Sequence, residues 1–85
     1  MDDRMKELVA IGAAAAVNCH PCMTHHLGKC REAGASREDI VAAVEVGMMV
    51  NRGAAGKTRA FVAELLGEAA KQPPKPEAGA MVSGV

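Results

Sequence analysis

At 85 residues, with ten basic against ten acidic side chains, the chain has the size of one small domain and lacks the basic excess that binding to nucleic acid or an anionic membrane would need. Of its 42 apolar residues 17 are alanine, and only 22 are Val, Ile, Leu, Met or Phe, so its core of large side chains is thin. This composition excludes an all-β protein. It predicts an all-α domain of three to four closely packed helices, and an oligomer whose core is shared between protomers.

Asp2 and Asp3 precede Met5, Leu8, Ile11, Gly12, Ala15 and Ala16, whose three- and four-residue spacing puts one apolar stripe on a first helix reaching about Val17. The apolar run Leu8 to Val17 is too short to span a bilayer, and Met1 to Glu7 lacks the net positive start of a secretory leader. A cytoplasmic location is expected. Asn18 breaks the stripe. Pro21 suits the first turn of a second helix, which runs to Ala33 and stops at Gly34, a residue fitted to the left-handed position past a helix end.

Ser36 and Asp39 form a variant capping box ahead of Ile40, Val41, Val44, Gly47, Met48 and Asn51, so a third helix is expected over Arg37 to Asn51 with Gly53 ending it. A fourth segment from Ala54 to about Ala70 carries Phe61, Leu65 and Ala69 on one face, as a separate helix or a kinked continuation of the third. Gly47 inside a helix points to a close helix approach. Beyond it, QPPKPEAGAMVSGV has no periodic apolar face. The expected layout is a helical domain over 1–71 and a disordered tail over 72–85.

The chemistry lies in Cys19-His20-Pro21-Cys22, a C-x-x-C at the predicted start of the second helix. Free N–H groups and the helix dipole there favour thiolate over thiol, and such motifs lower a cysteine pKa from about 8.5 to roughly 3.5–7.5. Two cysteines three apart in a first turn can also close and reopen a disulfide. His26 follows Cys22 by four residues, on the same helix face, where it can pass a proton to or from that sulfur. His25 points about 100° away and is expected in solvent. If the chain reverses near Asn18, Glu7 comes level with the region of Lys29 and lies within a few ångströms along the axis of His26, placed to orient the imidazole.

The set Glu7, Cys19, Cys22 and His26, followed by the A-G-A-S-R-E-D-I start of the next helix and by Asn51, resembles the alkylhydroperoxidase D branch of the carboxymuconolactone decarboxylase family, over about Met5 to Leu66. The resemblance implies a helical homo-oligomer, commonly a trimer or hexamer, that reduces hydroperoxides with thiols and is re-reduced by a dithiol or thioredoxin-like donor, without a cofactor. It also implies that Cys22 meets the peroxide, Cys19 resolves the product, His26 relays the proton and Glu7 supports His26. One position departs: the histidine that the best-known members carry just before the second cysteine is Pro21 here, with His20 one place earlier.

A second reading of the same cluster is a zinc-binding structural module, with Cys19, Cys22, His25 or His26, and Cys30 as a thiolate-rich tetrahedral set. Cys30 reads first as a buried small hydrophobe, and otherwise as a third thiol that traps the disulfide or crosslinks protomers. Met48 and Met49 read as core or interface packing. The pair Asn51-Arg52 reads as a helix cap with no chemistry assigned to it.

Overall fold

The structure, a computed structural model, describes residues 1–67 as three α-helices: α1 (Asp3–Ala16), α2 (His20–Glu32) and α3 (Arg37–Leu66). Among the described residues there is no strand, and the protein is all-α. The tail expected over 72–85, and the end of the expected domain from 68 to 71, lie outside the described residues. No described helix is long and apolar enough to cross a membrane.

The helix starts follow their capping residues. Asp2 accepts a hydrogen bond from the Met5 amide at 2.7 Å, which satisfies one of the orphan N–H groups of α1. Ser36 does the same for α3, its Oγ accepting from the Asp39 amide at 3.0 Å. Cys19 stands at the N-cap of α2, where its Sγ accepts from the Cys22 amide at 3.3 Å.

Two helix ends use one device. At the end of α1, Asn18 adopts φ 59° and donates to Ala15 O, while Cys19 donates to Ala14 O. At the end of α2, Gly34 adopts φ 85° and donates to Arg31 O, while Ala35 donates to Cys30 O. Each is a Schellman turn, with a left-handed residue just past the helix. Asn tolerates that conformation better than most non-glycine residues because its short side chain can bond locally.

The chain divides into two compact units, Met1–Ala54 and Ala55–Val85. The first contains α1, α2 and the N-terminal part of α3. Its core is small: Leu8, Ile11, Cys30 and Ile40 are buried together, flanked by Leu27, Ala35, Ala43 and Val44. Gly47 is buried against α1, and a Cβ there would collide with the carbonyl oxygen of Gly12. The close approach expected at Gly47 is thus a backbone-to-backbone contact. Met48 and Met49 are exposed and take no part in this core. Met5, Val9, Ala13, Ala16, Val46 and Val50 line an apolar groove of about 520 Å³ between α1 and α3.

Of the second unit, the described residues are the end of α3 and Gly67. The expected break at Gly53 is absent, since α3 continues to Leu66 and Gly67, at φ 89°, follows its end. Each interior glycine costs a helix only about 1 kcal/mol relative to alanine, and Ala54 and Ala55 stand between Gly53 and Gly56, so the penalty at Gly53 does not stop the helix. Phe61 and Leu65 both stand exposed.

Candidate functional site

The site is built on the turn between α1 and α2. Three residues, Val17, Asn18 and Cys19, separate the two helices, and the Schellman turn fixes their path. Cys19 therefore closes one helix and opens the next. Pro21, in the first turn of α2, has no N–H to leave unsatisfied. Cys19 and Cys22 are joined as a disulfide, with Cα atoms 5.2 Å apart, inside the range that such a bond accepts without backbone movement.

One turn further along α2 is His26. Its Nδ1 lies 2.7 Å from Glu7 Oε1, bringing together residues 19 apart in the chain. An ionised carboxylate only accepts, so Nδ1–H donates and Nε2 is left as the ring nitrogen available for proton transfer. Both side chains are partly shielded, at 28% exposure for His26 and 15% for Glu7. The hydrogen bond from His26 holds the Glu7 carboxyl below its usual range; burial opposes this, and the charges of His26, Lys6 and Lys29 reinforce it.

That depression has a measurable result. A carboxylate whose folded-state pKa is lowered adds stability that is complete above its ordinary value, about 4.3 for glutamate, and lost as pH falls through the lowered one. Urea midpoints of the native chain should exceed those of Glu7→Gln above about pH 5, and the margin should shrink on further acidification. A margin that ignores acid would mean that the pair adds no stability through ionisation.

Cys30 is fully buried and unpaired, in the core between Leu8, Ile11 and Ile40. Burial pushes its thiol above the ordinary range, and the negative charge of Glu7 adds to the effect. The hydrophobe reading fits this setting, and a reactive third thiol does not. After reduction, a maleimide applied to the folded protein should label two cysteines quickly and the third only at the rate of unfolding. Rapid labelling of all three would place Cys30 in reach of solvent.

The remaining candidates separate. His20 is the first residue of α2 and is exposed. His25 is exposed as expected, with its ring edge-on to that of His26 at 4.8 Å between centroids. Among the described residues, no three His, Cys, Asp or Glu side chains converge as a metal ion would need. The zinc reading therefore lacks a donor set there: Cys19 and Cys22 are joined to each other, and Cys30 is enclosed in the core.

One residue near the site was missed as a participant. Asn51, read as a cap, donates from Nδ2 to Ala16 O at 2.9 Å, reaching from α3 to the last residue of α1. Its sequence signals were an amide four residues after Gly47, on the same helix face, and its place in the set of residues that carries the family resemblance.

These features occur in a chain whose residues 1–65 match the model of the carboxymuconolactone decarboxylase family, and the protein belongs to that family. The match covers all of α1 and α2 and nearly all of α3. No curated protein and no solved structure matches the chain.

Proposed function

We propose that the protein is a thiol peroxidase of the alkylhydroperoxidase D type, in which Cys19 and Cys22 cycle between dithiol and disulfide as they reduce hydroperoxides. The observation that carries this reading is the Cys19–Cys22 pair at the start of α2, one turn from a histidine whose other face is held by a carboxylate. A disulfide alone would serve structure equally well. A histidine in that place serves acid–base chemistry.

The Cys22 thiolate attacks the terminal oxygen of the hydroperoxide, the O–O bond breaks, and His26 protonates the departing alkoxide to give an alcohol and a Cys22 sulfenic acid. Cys19 then attacks that sulfur, releasing water and forming the disulfide. A dithiol donor of the dihydrolipoamide or thioredoxin kind returns two electrons and two protons through a mixed disulfide. Glu7 orients His26.

Turnover assays with alkyl hydroperoxides, using dihydrolipoamide, thioredoxin and glutathione in turn as donors, test the reading. Peroxide consumption that depends on one donor and is lost on prior alkylation supports it; no consumption with any donor refutes it. A homo-oligomer, trimeric or hexameric, is part of the same proposal. The apolar groove between α1 and α3 is surface that such an assembly would cover.

A further inference from the structure

The carbonyl groups at the end of α1 account for almost all of their own hydrogen bonds. Ala13 O accepts from Val17, Ala14 O from Cys19 and Ala15 O from Asn18. Ala16 O is the next in line, and the Schellman turn offers it no donor. Asn51 Nδ2 supplies one across a 35-residue separation, in a partly buried place. The register that brings Asn51 there is fixed one turn earlier, where Gly47 abuts Gly12: four residues on from each contact partner stand Asn51 and Ala16.

The proposal rests on the reading of Cys19 and Cys22 as a working dithiol–disulfide couple. We propose that Asn51 is a positioning residue for that couple: by completing the C-terminal cap of α1 it holds the three-residue turn, and with it Cys19, in the geometry that bonds to Cys22. Only Val17 and Asn18 intervene between the carbonyl that Asn51 grips and Cys19, and Asn18 already sits in the sparsely favoured left-handed region. Freed from Asn51, the turn gains alternatives to that conformation. Cys19 then spends less time at the N-cap, and the effective concentration of one sulfur at the other falls.

The test equilibrates the reduced and oxidised full-length chain with mixtures of dithiothreitol and its disulfide, quenches with acid, alkylates, and weighs the products. Two electrons and two protons pass from dithiothreitol to the Cys19–Cys22 bond through a mixed disulfide, so the ratio of forms reads the couple without requiring peroxide turnover. In Asn51→Ala the disulfide-to-dithiol ratio should fall about two- to tenfold, the worth of one net hydrogen bond. Ser36→Ala, which removes a bond of similar worth from the start of α3, should leave the ratio at the native value.

A native ratio in Asn51→Ala overturns the proposal, as does an equal shift in Ser36→Ala, which would trace the effect to general destabilisation. If Asn51→Ala does not fold, the native protein still decides. Coupling is reciprocal, so a bond that favours the disulfide is favoured by it, and the Asn51 side-chain amide protons should exchange faster after reduction. Unchanged exchange overturns the proposal. A native chain that forms no Cys19–Cys22 bond in oxidising buffer overturns the proposed function together with this inference, whereas the Asn51 results strike this inference alone.

Discussion

Gly47→Val is expected to unfold the protein or leave it only marginally folded at room temperature. The Cβ would be driven into the Gly12 carbonyl, and neither partner can move aside, because both are backbone atoms inside helices. Overpacking of a well-packed interface costs about 1–3 kcal/mol where side chains can yield, and more where they cannot. The described residues, at roughly 0.05–0.15 kcal/mol each, give a total stability of only about 3–10 kcal/mol. Gly47→Ala should be destabilised in the same direction, although alanine's helix propensity returns about 1 kcal/mol. Gly53→Ala is the matched contrast: nothing lies within 4 Å of its Cβ position, so the same change there should raise the urea midpoint. Equal effects at the two glycines would mean that α1 and α3 are not in contact at Gly12.

The second large effect concerns the two sulfurs. Under the proposed chemistry, Cys22→Ser loses peroxide consumption altogether, while Cys19→Ser consumes one equivalent and stops as a sulfenic acid that dimedone traps. The asymmetry follows from placement. Cys22 lies one helical turn from His26, whereas Cys19 sits at the helix boundary with its sulfur turned to the Cys22 amide. His26→Ala should then lower the rate by about 10²–10⁴-fold, the usual worth of a general acid–base group. Reaction at Cys19 in Cys22→Ser would reverse the roles and assign the leading part to the helix tip.

What could be read from the sequence was what depends on neighbours along the chain. The helix starts at Asp2, Cys19 and Ser36 and the stop at Gly34 each depend on residues close by in the chain, and each is present. The meeting of Glu7 and His26 also yielded to arithmetic, because one short turn and a fixed rise per residue set the register of α1 against α2. Gly53 misled because local propensity there is weak and the helix around it prevailed. The Asn51 bond and the identity of Gly12 as the partner of Gly47 both span 35 residues and depend on how α3 crosses α1, which no spacing rule supplies. The sequence named Gly47 as a contact without naming what it touches.

The double duty of Cys19 has an electrostatic consequence. The carbonyl end of α1, carrying partial negative charge, and the amide end of α2, carrying partial positive charge, converge on one residue, and their fields at its sulfur oppose each other. No basic side chain occupies the last turn of α1, and no acidic one the first turn of α2, so neither field is offset by a side chain of its own helix. The end of α1 thus weakens the pull toward an anion that a lone helix start would exert at this sulfur. Under the proposed chemistry the backbone therefore favours an anion at Cys19 less than a lone helix start would, and the task of distinguishing one sulfur from the other falls more heavily on His26.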